Sequence, residues 1–114
     1  MMGVAKMYEP SRNLMSFYIA GVKHHEGALV LGEIKVGDAL DLVAEPDNPY
    51  DPCAVAIKRG EVKLGYVPKT CNAELSLLMY YGHGDIFECR AIQVSLDSDP
   101  WEQLRVAIYV RDAR

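Results

Sequence analysis

Apolar and polar positions alternate in short blocks along this chain, with turn residues between the blocks. Residues 14–22, LMSFYIAGV, are rich in β-branched and aromatic types and run to Gly21, which predicts a first strand. In residues 23–38 the glycines at 27, 32 and 37 interrupt any period, so this part reads as a loop with one helical turn. Residues 39–45 set Leu40, Leu42 and Ala44 against Asp41, Val43 and Glu45, the period of a strand. Val55 and Ile57, then Arg59-Gly60-Glu61, then Val62, Leu64 and Tyr66 read as a β-hairpin that stops at Pro68. The spacing predicts a helix over residues 72–81, with Asn72 as N-cap, Glu74 in the first turn and Gly82 just past the end. Its apolar stripe is Leu75, Leu78 and Met79. Residues 86–96 form a long strand whose apolar parity slips near Ala91-Ile92, the mark of a bulge or strong bend. Leu104, Val106, Ile108 and Val110 alternate with polar or small neighbours and predict a last strand.

About six closely spaced strands and one good helix, without an internal repeat, imply an antiparallel sheet rather than βαβ units. A long bent strand in a small domain is how a sheet curls onto itself. The expected fold class is mainly β: a small, partly open OB-like antiparallel barrel, with the helix over 72–81 at one end and one short extra helix. Residues 1–13 read as a loosely ordered arm and residues 14–112 as a single domain.

Composition narrows the function classes. The chain has 114 residues, half of them hydrophobic and a quarter charged, enough for one globular core. Its net charge of −4 argues against duplex DNA binding driven by bulk charge, but leaves room for a local basic groove. Cys53, Cys71 and Cys89 are widely spaced and odd in number, which fits neither a disulfide framework nor a zinc knuckle. They read as reduced packing thiols, hence a cytoplasmic protein. No signal segment opens the chain and no apolar run reaches the length of a membrane span.

The candidate chemistry is sparse. No Ser or Cys sits in a nucleophile setting, so no catalytic residue is assigned. The acidic groups Glu45, Asp47, Asp51 and Asp97, Asp99, Glu102 match no known cation loop, and a metal-dependent phosphodiesterase is a remote alternative. His24 and His25 read as a surface loop, and His83 as a helix C-terminal residue. No cofactor or metal is expected. Seven tyrosines and Trp101 outnumber two phenylalanines, which suggests rings with one wet end. On a small barrel such rings form a stacking platform for single-stranded nucleic acid. Tyr18, Tyr50 and Tyr66, with Lys69 nearby, are the candidate set. Between two strands, EPDNPYDPCAV (45–55) adds Pro46, Pro49 and Pro52, which fix φ and remove donors, to Asp47, Asn48 and Asp51, which make Asx turns. Such a stiff corner can also hold out Asn48, Tyr50 and Asp51 at low entropic cost.

EPDNPYDPCAVAI, then KLGYVP, then a helix reading AELSLLMYYG, resembles the HIRAN domain family over about residues 15–111. The resemblance implies an OB-like barrel and a non-enzymatic module that captures the 3′ end of single-stranded DNA, in DNA repair or replication-fork processing. The chain looks like a stand-alone bacterial-type member. By resemblance, Tyr18 supplies a stacking ring, Asn48 and Tyr50 contact the terminal nucleotide, and Asp51 accepts from the 3′-hydroxyl. Tyr66 and Lys69 sit near a phosphate, and Trp101 stacks on a base. Single-stranded DNA is therefore the expected partner, with repair proteins as further partners. The first strand here reads Phe17-Tyr18-Ile19 where the DNA-binding type has Arg before two aromatics. The alternative is a protein-interaction barrel that binds no DNA.

Overall fold

The computed structural model describes residues 11–21, 31–99 and 102–111. Trp101, the His24-His25 pair and residues 1–10 of the arm lie outside the described residues. Six strands form one antiparallel sheet: β1 (Ser11–Tyr18), β2 (Ala39–Ala44), β3 (Val55–Arg59), β4 (Val62–Tyr66), β5 (Phe87–Val94) and β6 (Leu104–Arg111). The helix α1 spans Ala73–Tyr80, and short 3-10 turns cover Leu31–Glu33 and Gly84–Ile86. The hydrogen-bonded order is β1-β6-β5-β2-β3-β4.

Two features curl this sheet. First, β2 changes partners: Ala39 and Leu40 pair with β5, while Asp41 to Ala44 pair with β3. A strand shared in this way turns a corner in the sheet. Second, the β5–β6 register shifts between Ala91 and Gln93, a bulge where the apolar parity of the sequence slips. The two edge strands then come together. Just past β1, Ala20 and Tyr66 exchange a pair of backbone hydrogen bonds, both 2.9 Å. Among the described residues, the barrel is thus an open sheet joined at the Ala20–Tyr66 bridge.

The bridge needs Gly65. A Cβ built there would lie 2.4 Å from Ile19 Cγ2 and 2.5 Å from the Ala20 carbonyl oxygen. Only a residue without a side chain lets the chain after β1 lie against β4. Inside the curl, Ile19, Val55, Ile57, Leu64, Leu75, Val106 and Ile108 are fully buried, drawn from the strands and the helix alike.

Three local expectations change. The strand β1 starts at Ser11, earlier than the apolar pattern does, because the polar residues Ser11 to Asn13 pair with Arg111 to Tyr109 of β6. Leu14 bulges out of the ladder and is exposed. The helix stripe is narrower than the spacing implies. Leu75 is buried and Met79 packs on the core, while Leu77, Leu78, Tyr80 and Tyr81 face out, because an eight-residue helix rests on one narrow edge. Asn72 occupies the N-cap position, but its backbone is already helical and its side chain bonds no helix N–H. At the other end, Gly82 N–H donates to Met79 O and His83 N–H to Leu78 O, the paired bonds of a Schellman stop. Gly82, at φ 86°, makes that stop without strain.

The three cysteines are free, and burial pushes the Cys89 thiol up to about 12. Among the described residues, no helix is long and apolar enough to cross a membrane.

Candidate nucleic-acid interface

The loop from Glu45 to Ala54 joins β2 to β3 and is folded around its own side chains. Asn48 Oδ1 accepts from the backbone N–H groups of Tyr50 (2.8 Å) and Asp51 (3.1 Å). Asp51 Oδ1 accepts from Cys53 N–H at 2.9 Å. These are Asx turns, and they satisfy donors that the crowded loop offers to no strand. At the base of the loop, Glu45 N–H donates to Ala54 O at 2.8 Å.

The loop is pinned at two outside points. Asn72 is buried, and its Nδ2 donates to Asp51 Oδ2 at 2.9 Å. The Asn just before α1 therefore anchors the loop rather than capping the helix. On the other side, Glu45 accepts from Tyr66 OH (2.8 Å) and Asn48 Nδ2 (3.1 Å) and is paired with Lys63 at 2.6 Å. Lys63 Nζ also donates to Tyr66 OH at 3.0 Å. The Tyr66 hydroxyl thus ties β4 to the loop.

Electrostatics follow from these bonds. Burial alone would raise the Glu45 carboxyl, but the bonds from Lys63, Tyr66 and Asn48 outweigh it and hold it below the ordinary range. The Asp51 carboxyl is also lowered, first by the Cys53 N–H, then by Asn72, with a smaller contribution from the Lys69 charge. Lys63 is raised, chiefly by its bond to Glu45. Both carboxylates are ionised at neutral pH and act purely as acceptors.

A cavity of about 910 Å³ opens between this loop and the bridge. Asn48, Tyr50, Asp51, Tyr66 and Lys69 all line it, together with Ala20, Ala44, Ala54 and Val67 as an apolar floor. Glu45, Pro46, Asp47 and Pro49 complete the wall. The structure thus brings together five of the seven residues singled out in the sequence. Tyr18 is not in the wall. It lies two residues before Ala20, with the Arg105 guanidinium 5.1 Å from its ring centroid. The seventh, Trp101, lies outside the described residues.

The roles differ from the simple picture of prolines framing Asn48, Tyr50 and Asp51. Asn48 and Asp51 are themselves the frame, because each spends its side chain on the loop. Tyr50 is the group held out, at 87% exposure. Sequence reasoning missed Lys63, Asn72 and Arg105, and took Glu45 only as part of an acidic cluster. Among the described residues, no three His, Cys, Asp or Glu side chains group to hold a metal ion. The wall carries three carboxylates, Glu45, Asp47 and Asp51, against one lysine, Lys69.

With this geometry in place, comparison with known proteins gives the class. The HIRAN domain family matches residues 13–111. The chain belongs to that family. Among solved structures, a protein from Lactobacillus plantarum superposes with a TM-score of 0.74 at 20% identity, over 88% of this chain and 94% of that one. The HIRAN domain of human HLTF superposes with a TM-score of 0.64 at 15% identity, over 90% of this chain and 82% of that one. At these identities the two structures support the fold. No match is found among curated proteins.

Proposed function

We propose that this domain binds the 3′ end of single-stranded DNA in the cavity between the 45–54 loop and the Ala20–Tyr66 bridge, acting by recognition without catalysis. The observation that carries this reading is the joint placement of Asn48, Tyr50, Asp51, Tyr66 and Lys69 on one cavity of a HIRAN domain. The Tyr50 ring is exposed and available for stacking, and the Tyr66 ring lines the cavity with Lys63 Nζ 5.0 Å from its centroid. Each stacked base contributes roughly 1–3 kcal/mol.

The charge of the wall supports a hydroxyl end over a phosphorylated one. Ionised Asp51 is an acceptor, and each of its oxygens keeps a lone pair beyond the bonds to Cys53 and Asn72. A sugar hydroxyl donates to such a group. A terminal phosphate would face Asp47 and Asp51, with the charge of Glu45 offset by Lys63. Lys69 at the edge is suited to the phosphate that precedes the last nucleotide. With so few cations, the salt dependence is shallow, about −0.7 per phosphate for one to three phosphates. In the cell, such a module would act in the cytoplasm on DNA ends during repair or fork processing, alongside repair proteins.

The test is fluorescence anisotropy of a 5′-labelled short oligonucleotide with a 3′-hydroxyl or a 3′-phosphate. Tighter binding of the hydroxyl end at low salt is expected. Equal binding of both, or none of either, would refute end capture. A second reading, a protein-binding adaptor, is favoured by the exposed α1 face of Leu77, Leu78, Tyr80 and Tyr81. Native mass spectrometry showing an assembly that L78S disperses, with no oligonucleotide binding, would support it.

A further inference from the structure

The bound strand must leave the cavity somewhere, and the cavity wall offers one lysine against three carboxylates. The remaining phosphates need cations outside it. Among the described residues, the cations Arg59, Lys63 and Arg90 are engaged by Glu33, Glu45 and Glu88. Arg105, like Arg12, Lys35, Lys58, Lys69 and Arg111, forms no ion pair among the described residues. What sets it apart is that its position is fixed by neutral groups close to the cavity. Its guanidinium lies over the Tyr18 ring, 5.1 Å from the centroid, and Nη2 donates to Ser16 Oγ at 3.1 Å. Tyr18 and Arg105 are direct cross-strand partners of β1 and β6.

This pair lies close along the chain to a residue of the cavity wall. Phe17 and Ile19 are buried, so Ser16 and Tyr18 share the outer face of β1, and Ala20 follows two residues past its end. Ala20 lines the cavity and pairs directly with Tyr66. Along the chain, Tyr18 is thus two residues from the cavity floor, about 6.6 Å at strand rise. Between the Tyr18 and Tyr66 positions stands Ala20, whose side chain is a single methyl. A guanidinium has five N–H donors in a planar fork. The bond to Ser16 uses one end of that fork and leaves donors for a phosphate, which Arg binds in bidentate fashion.

We infer that Arg105, held over Tyr18 by Ser16, is a phosphate-binding residue that carries the strand out of the cavity over Ala20 and along the β1–β6 face. This rests on the 3′-end reading above and adds direction to it. The strand's polarity is set: its 3′ end lies at Asp51 and its upstream phosphates run toward Arg105. The aromatic ring beneath Arg105 gives the guanidinium one preferred plane and lowers the entropy lost on binding.

The experiment uses the full chain, the variants R105Q and R105K, and single-stranded oligonucleotides with a 3′-hydroxyl. Each oligonucleotide carries one neutral methylphosphonate linkage, placed first, second or third from the 3′ end. Wild type should lose about tenfold in affinity at one of these linkages. R105Q should lose about tenfold on the unmodified strand and show no further loss at that linkage. Its slope of log K against log salt should be shallower by about 0.7, the value for one phosphate on a single strand. R105K should keep the salt slope and recover part of the affinity, which separates charge from fold. If wild type binds the hydroxyl end but R105Q matches it in affinity and slope, the Arg105 path is wrong and end capture stands. The Arg105 path is equally wrong if the losses from R105Q and every neutral linkage simply add. If wild type does not bind at all, both are overturned.

Discussion

Replacing Gly65 by alanine should open the barrel. The added Cβ would sit 2.4 Å from Ile19 Cγ2 and 2.5 Å from Ala20 O, and Ile19 is 1% exposed. The contact with a backbone carbonyl cannot be relieved by a rotamer change. Either the core shifts, at about 1–3 kcal/mol for overpacking, or the Ala20–Tyr66 bridge parts. Parting the bridge loses two hydrogen bonds of 2.9 Å, each worth about 0.5–1.5 kcal/mol net. Alanine also stabilises through the unfolded chain, by about 0.4–1 kcal/mol. The balance is a net loss of up to about 2.6 kcal/mol and about 1.3 kcal/mol at mid-range, or a Tm lower by about 5 °C at roughly 4 °C per kcal/mol. Thermal and urea denaturation measure it, with Gly32→Ala as control. A Cβ at Gly32 meets nothing closer than Leu96 at 3.9 Å, so that variant should match wild type. A Gly65→Ala protein as stable as the Gly32→Ala control would refute the close approach and the closure built on it.

The other predictions concern the loop. Asn72→Ala removes a buried donor to Asp51 and should cost about 1–3 kcal/mol in urea denaturation, with weaker oligonucleotide binding because Asp51 loses its anchor. Tyr50→Ala should leave Tm within about 2 °C, since surface changes are usually within about 0.5 kcal/mol, yet reduce affinity by roughly fivefold or more through one lost stack. Acid should unfold the protein through the loop carboxylates. Glu45 and Asp51 are lowered in the folded state, so their stabilisation is complete above the ordinary values of 4.5 and 3.8 and is lost as pH falls through the depressed ones. Lys63 is raised, so its contribution is present below 10.5 and is lost as pH rises through its folded value. Urea midpoints from pH 7 down to 2 check the first sign, and the same series in Glu45→Gln should fall less steeply.

Local pattern carried the elements, and long-range contact carried the site. The β3–β4 hairpin was legible because Val55, Ile57, Val62 and Leu64 alternate around Gly60. The β5 bulge was legible because one skipped residue, Ile92, inverts the apolar parity. Parity reports which face a residue takes, but not which strand lies beside it. The switch of β2 from β5 to β3 and the Ala20–Tyr66 bridge therefore left no local mark. The helix misled for a related reason: Leu75, Leu78 and Met79 satisfy the spacing, but the sheet offers the helix only a narrow contact. In the site, EPDNPYD announced a stiff loop, and the family resemblance pointed to its residues. Chemistry alone could not tell a frame from what the frame holds. That depended on Asn72 reaching Asp51 and on Tyr66 reaching Glu45, both 21 residues apart in sequence. Arg105 reaches Tyr18 and Ser16 from the far end of the chain, and no spacing rule connects them.

The most direct test of the central claim is a ¹H–¹⁵N chemical-shift titration of the protein with a short single-stranded oligonucleotide bearing a 3′-hydroxyl. The account predicts that the largest changes fall on Ala20, Asn48 to Cys53, Tyr66 to Lys69 and the Asn72 side-chain amide, with the exposed face of α1 unchanged. Changes confined to Leu77–Tyr81, or no change at any residue of the cavity wall, would contradict it.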